Sequence, residues 1–222
     1  KTIKLGFAVL TLGIYQPVRL AVQLALLDNL SKGRLIVGEA ASGLGAQYTY
    51  AGFGVDPEIA RGQLDEFEDL MVQAWTTENL HFQGKYFNVT IPAIRPTTYQ
   101  KPHPPLFRGC ISTESTREMG KRGRPILLIS GSSELLREQL DVYTGAMREA
   151  GFGEEVVQQN LDKLWLAREV YVADTNQQAI DEFVTGNLKR RETMKRLRAA
   201  LPLEQGPRAP DRPTRMQQTT SE

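Results

Sequence analysis

Residues 5–55 read LGFAVLTLGIYQPVRLAVQLALLDNLSKGRLIVGEAASGLGAQYTYAGFGV. Ile3, Leu5, Phe7, Val9 and Leu10 form a short apolar run, the pattern of a strand covered on both faces. Gly13 interrupts it. Pro17 suits the first turn of a helix, where its missing N–H has no partner to lose. Val18, Ala21, Val22, Ala25 and Leu26 then recur at helical spacing, and Gly33 is a stop signal. Leu35, Ile36 and Val37 start a second buried strand, which runs into a Gly-rich, Ser-containing loop. The stretch predicts one β-α-β unit with a ligand-sized loop at the carboxyl end of its second strand. In parallel α/β folds that end carries the chemistry.

Downstream, Asp56-Pro57-Glu58 predicts a helix start, with acidic residues at its positive end. Leu64, Phe67, Leu70, Met71 and Trp75 give that helix an apolar face, and Phe82–Val89 predicts a small hairpin. Regular structure is excluded from the proline-rich segment 92–105. Strands are predicted at Leu106–Cys110, Ile126–Ile129 and Leu164–Val172. Helices are predicted at Ser112–Arg122, at Ser133–Ala150 and from Thr175 onward, the last becoming basic between Lys189 and Arg198. The domain reading is 1–201 for the folded part. Residues 202–222, rich in Pro, Arg, Gln and Thr, read as a disordered tail.

The 222 residues suffice for one large core, and 41% hydrophobic with 24% charged residues is ordinary for a globular protein. A net charge of +1 argues against a nucleic-acid surface, which needs a basic stripe. No apolar run is long enough for a transmembrane helix, and no signal peptide is visible. Cys110 is the only cysteine, so no intrachain disulfide forms, as suits a reducing, cytoplasmic setting. The chain begins at Lys1 and enters a buried strand almost at once, the expected appearance of a domain with something missing upstream.

PVRLAVQLALLDNLSKGRLIVG (17–38), followed by FGVD (53–56), resembles the bacterial luciferase-like flavin monooxygenase family. QKPHPPL (100–106) is similar to the segment leading into a middle barrel strand of that family, and Ser112–Ser115 to its phosphate-binding turn. The resemblance covers roughly residues 4–174. It implies an α/β fold, a TIM (β/α)8 barrel of the luciferase-like type. With strands near Phe7, Ile36, Phe107, Leu128 and Val170, about five of the eight β-α units are present, the first two and the last being absent. An open sheet exposes two edges, so a dimer partner or a rearrangement is expected to cover them.

The same resemblance implies the chemistry. Reduced FMN, supplied by a separate flavin reductase, and O2 would oxidise a small organic substrate, the cofactor supplying the reactivity and the protein the orientation. Deazaflavin F420 is the alternative cofactor, and a non-catalytic flavin binder the alternative function. A homo- or heterodimer is implied, without nucleic acid or membrane. Ser112 and Ser115 match the family's phosphate ligands, and hydroxyls beside free N–H groups at a helix start do make an anion site, though Ser-Thr-Glu-Ser is also plain capping chemistry. Arg61 matches a phosphate-reaching arginine. Ala8 and Val9 match a strand pair backing the isoalloxazine ring, where a non-proline cis peptide marks function. Where luciferases carry a cysteine and then an arginine, this chain has Ala40, Ala41 and Ser42. Ser42 and backbone N–H groups are expected to substitute, and the small residues let a flat ring approach. His81 and His103, the only histidines, match no catalytic position and form no metal site.

Overall fold

The computed structural model describes residues 2–41, 46–129, 132–168 and 170–200, in two units that divide after Leu166. In chain order the elements are β1 (Leu5–Thr11), a 3-10 turn (Leu12–Ile14), α1 (Pro17–Ser31), β2 (Leu35–Ala40), α2 (Ala46–Phe53), α3 (Pro57–Gly62), α4 (Leu64–Thr76), β3 (Leu80–Gln83), β4 (Asn88–Ile91), β5 (Leu106–Cys110), α5 (Thr113–Lys121), β6 (Ile126–Ile129), α6 (Ser133–Glu149), α7 (Glu154–Asp162), β7 (Trp165–Ala167) and α8 (Asn176–Ala200).

The opening β-α-β unit forms, but β1 is not covered on both faces as the apolar run suggests: Ile3 and Leu5 are 70% and 47% exposed, and of its residues only Leu10 is buried. Pro17 is the first helical residue of α1, and the Gln16 side chain accepts from Arg19 N at 2.6 Å. The helix ends at Lys32 and Gly33, both with positive φ, and Arg34 leads straight into β2. The sheet runs β1-β2-β5-β6-β7, with β1–β2, β2–β5 and β5–β6 all parallel. This is an open, half-barrel sheet, as the strand count predicts.

The register gives the sheet two different faces. Val37 pairs with Leu106, Gly38 with Phe107 and Glu39 with Arg108. Leu35, Val37 and Leu106 face α1 and α4, burying against Leu20, Leu24, Phe67 and Met71. Each such side chain taken fully from water contributes roughly 1.5–3 kcal/mol. Beyond β5 the same face continues into a second cluster, Cys110, Ile126 and Leu128 against Met119, Tyr143 and Met147 of α5 and α6. Gly38, Ala40, Phe107 and Gly109 alternate with these residues and so point to the opposite, inner face.

Side chains tie the connections down. Glu66 of α4 accepts the backbone N–H groups of Lys85, Tyr86 and Phe87, which holds the β3–β4 hairpin turn. Asp28 accepts from the backbone and side-chain nitrogens of Gln100, both at 2.8 Å, and anchors the proline-rich segment. His103 stacks on Trp75, whose indole donates to Ala21 O at 2.9 Å.

The structure departs from the sequence expectation in three further places. The second half of the Gly-rich loop is helical, as α2. A further helix, α7, lies between α6 and β7. The last predicted strand shrinks to Trp165–Ala167, because Val170 and Val172 are 81% and 86% exposed and, among the described residues, pair with no strand. In the second unit, Thr175 Oγ1 accepts from Gln178 N at the start of α8, and Tyr171 donates to Glu182 at 2.6 Å. No described helix is long and apolar enough to cross a membrane. The predicted tail, 202–222, lies outside the described residues.

Candidate functional site

On the inner face the sheet is stripped of side-chain bulk where β1, β2 and β5 meet. A Cβ built on Gly38 would run into the Phe7 carbonyl oxygen. One on Gly109 would lie 3.2 Å from Val9 Cγ1 and 3.8 Å from Ala40 Cβ. Val9, Gly38, Ala40 and Gly109 therefore form one small-residue patch. Beside it the β1–β2 ladder slips: Phe7 pairs with Val37 but Leu10 with Glu39, so β1 carries one extra residue, a bulge. The Ala8–Val9 peptide lies inside that bulge and is cis, the geometry to which the resemblance pointed.

The other expected residues group less completely. Ser112 and Ser115 come together in a reciprocal capping box at the start of α5. Ser112 Oγ accepts from Ser115 N at 3.1 Å, Ser115 Oγ accepts from Ser112 N at 3.3 Å, and the two hydroxyls are 3.0 Å apart. The capping chemistry is thus real, and both hydroxyls sit at the helix's positive end. Arg61, in the last turn of α3, pairs with Glu58 at 3.0 Å, both side chains being well exposed. Such a pair is weak and leaves the guanidinium open to a competing anion. Ser42 lies outside the described residues.

Sequence reading missed an ionic network on the opposite face of the same strands. Arg108 is buried and bonded to three carboxylates: Glu39 through Nε at 3.2 Å, Asp65 through Nη1, and Glu68 through Nη2. Arg124 bonds Glu68 and Asp69, each at 2.7 Å, and Arg122 bonds Asp65 and Asp69 at 2.6 and 2.8 Å. Burial, then the adjacent Glu68 carboxylate, hold the Glu39 carboxyl well above the usual carboxylate range. No group donates to Glu39 Oε2, as expected if that oxygen carries the proton and donates to the Glu68 carboxylate. Burial alone would raise Glu68 as well, but the hydrogen bond from Glu39 and the charges of Arg108, Arg124 and Arg122 outweigh it and hold Glu68 low. With Glu39 neutral, three carboxylates face three guanidiniums. The detectable signal was an acid and a base at matching points of two otherwise apolar strands, LIVGEA and LFRGC.

Other reactive groups are occupied. Burial pushes the Cys110 thiol up to about 11, so it is protonated near neutrality, and its Sγ lies 3.6 Å from Ser115 O. His103 Nδ1 is 2.7 Å from Pro104 O, and His81 Nδ1 is 3.2 Å from Thr90 Oγ1. Neither reaches the small-residue patch.

These features match known proteins. The luciferase-like monooxygenase profile fits residues 1–220, and the chain belongs to that family. It is 31% identical over 150 residues to an alkanal monooxygenase alpha chain of Photobacterium phosphoreum, a match covering 66% of this chain and 40% of that one. In fold it is similar to the oxygenating constituent of 3,6-diketocamphane monooxygenase of Pseudomonas putida, solved in complex with FMN. That likeness has a TM-score of 0.63 and 20% identity, and covers 82% of this chain and 52% of the other. An F420-dependent secondary alcohol dehydrogenase gives a TM-score of 0.61 at 19% identity, covering 75% of this chain and 48% of that one. The chain spans less than half the length of the curated relatives it matches.

Proposed function

We propose that the chain binds a flavin against the inner face of the half-barrel and serves a reduced-FMN-dependent monooxygenase that oxidises a small organic substrate. The observation that carries this reading is the patch of Val9, Gly38, Ala40 and Gly109, where small residues let the backbones of β1, β2 and β5 approach closely beside the β1 bulge. A flat tricyclic ring needs such a surface, where it meets backbone and methyl groups closely without displacing side chains. Ala8 and Val9 would back the ring from β1, and Ala40 from β2. Ser112, Ser115 and Arg61 would hold the phosphate, the serines through hydroxyls and the N–H groups at the start of α5, Arg61 through charge. Ser42 is proposed as a further donor from the loop after β2.

The bound flavin supplies the reactivity towards O2. The protein's residues bind it, orient it and exclude water. Family membership supports FMN, and the FMN complex named above is a fold neighbour. F420 is the alternative cofactor, since an F420-dependent enzyme shares the fold. The reading entails a separate flavin reductase, a cytoplasmic setting, and a homo- or heterodimer that covers the open edges of β1 and β7.

One observation favours a second reading, a flavin binder without turnover. Val9, Gly38, Ala40, Phe107 and Gly109 carry no titratable group, so this part of the inner face has nothing to move a proton. Titrating the 222-residue chain with FMN while following flavin fluorescence tests both. Saturable quenching, with aldehyde or ketone oxidation on adding reduced FMN and O2, supports the enzyme. Quenching without oxidation supports the binder, and the absence of saturable binding of FMN or F420 removes both.

A further inference from the structure

We propose that Tyr50 is a further binding residue of the flavin site, its phenol donating a hydrogen bond to the phosphate that Arg61 attracts. This rests on the flavin reading above and extends it by a side chain to which nothing in the sequence drew notice.

Tyr50 lies on α2 and is 2% exposed, yet its hydroxyl has no hydrogen-bond partner. Among the described residues, two buried side-chain oxygens are in that position. The other, Glu39 Oε2, is explained by the proton it shares with Glu68. Tyr50 has no such explanation, and a buried donor left unmet is costly, so its retention asks for a partner the free chain does not supply. The ring cannot turn away to find one. It packs against Ala60 with Ile14 and Val55 alongside, and a Cβ on Gly13 would stand 3.0 Å from its Cε1 and 2.5 Å from Ala60 Cβ.

The position is right for a cofactor contact. The 3-10 turn follows β1, and α2 and α3 follow β2, so Tyr50 is held in the layer above the carboxyl ends of those two strands. Ser112 follows β5, the next strand of the sheet, at the same end. The charge nearest in effect is Arg61, the residue after Ala60. Burial pushes the phenol up, and the Arg61 guanidinium pulls it partly back. The phenol therefore stays protonated near neutrality and acts as a donor. A fixed donor beside a guanidinium with a weak partner is a complement for an anion. Glu58, the exposed partner of Arg61, can swing into water when an anion arrives. The anionic group of FMN is a phosphate monoester and that of F420 a phosphodiester, and either offers the acceptor oxygen.

The test is a fluorescence-quenching titration of the whole chain and its Tyr50→Phe variant with FMN and riboflavin, and with F420 and its phosphate-free deazaflavin nucleoside. A hydrogen bond to a charged group implies roughly a tenfold or greater loss of affinity in the variant. The loss is expected for the phosphorylated ligand alone, with riboflavin or the nucleoside bound equally by both proteins. The ligand pair showing the effect identifies the cofactor. Tyr50→Phe removes one unpaired hydroxyl and keeps the ring, so its thermal midpoint should be no lower than that of the unmodified chain. Equal FMN and F420 affinities in the two proteins overturn the inference and leave the flavin reading standing. So does an equal loss for ligands with and without phosphate, which marks a packing role. If the unmodified chain binds none of the four, the flavin reading and the inference fall together.

Discussion

The two faces of β2 and β5 are made from alternate residues of the same short strands, yet they are opposites. On the helix side, Glu39 and Arg108 are large, ionisable and enclosed, and Arg108 is bonded to Asp65 and Glu68 of α4, which in turn bond Arg122 and Arg124 of the turn between α5 and β6. On the inner side, Gly38, Ala40 and Gly109 are small and uncharged, and the Phe7 carbonyl and Val9 pack closely over the two glycines. The difference separates two tasks. The network fixes the strands relative to the helices by directional bonds, so the inner face keeps its small residues without interlocking side chains of its own. Rigid support from behind is what lets a small-residue surface keep its shape.

Removing the base at the centre of the network is the strongest way to break this division. Arg108→Leu leaves Glu39 without its cation and takes one partner each from Asp65 and Glu68, and breaking a buried ion pair from one side costs about 3–5 kcal/mol. A urea melt should show that loss, and a loss under 1 kcal/mol would mean that the helix-side charges do little holding. On the inner face, Gly38→Ala should cost about 1–3 kcal/mol, because its new methyl meets the Phe7 carbonyl, and it should abolish flavin quenching. A variant that binds flavin normally would show that the ring does not lie there.

Acidity sharpens the contrast next. The folded Glu39 carboxyl keeps its proton above the unfolded value, so its contribution is complete below that value and is lost as pH rises towards the folded one. Glu39→Gln has no proton to lose. As pH rises above the ordinary carboxylate range the unmodified chain should therefore lose stability relative to the variant, at up to about 1.4 kcal/mol per pH unit. Parallel curves of thermal midpoint against pH would show Glu39 to be ionised. The smallest effect is expected at Ser112→Ala, which removes a capping hydroxyl for about 1 kcal/mol. It should weaken FMN but not riboflavin, and equal weakening of both would confine Ser112 to capping.

Much of the scaffold was legible. Pro17 and Gly33 bound α1 as their missing N–H and positive φ require, and β5 and β6 run over the residues that their apolar runs mark. The hairpin read from the alternation of Phe82–Val89 is present, running from Leu80 to Ile91. Other elements were not. Ser42-Gly-Leu-Gly disguised the start of α2, because glycine signals a loop whether or not a helix follows within a few residues. Val170 and Val172 have strand-forming side chains but no partner strand, and β-propensity without pairing leaves them exposed.

For the candidate site the division is similar. The family and the candidate residues Ala8, Val9, Ala40, Ser42, Arg61, Ser112 and Ser115 came from the resemblance of short motifs, and the half-barrel from counting strands against that family, since motifs and strand runs are written along the chain. Three features came only from the tertiary structure: the convergence of Gly38 and Gly109 on Val9, the adjacency of the Glu39 and Glu68 carboxyls that raises Glu39, and the unmet hydroxyl of Tyr50. Each depends on groups 29 or more residues apart, or on burial from every side, and a linear sequence encodes neither distance nor desolvation.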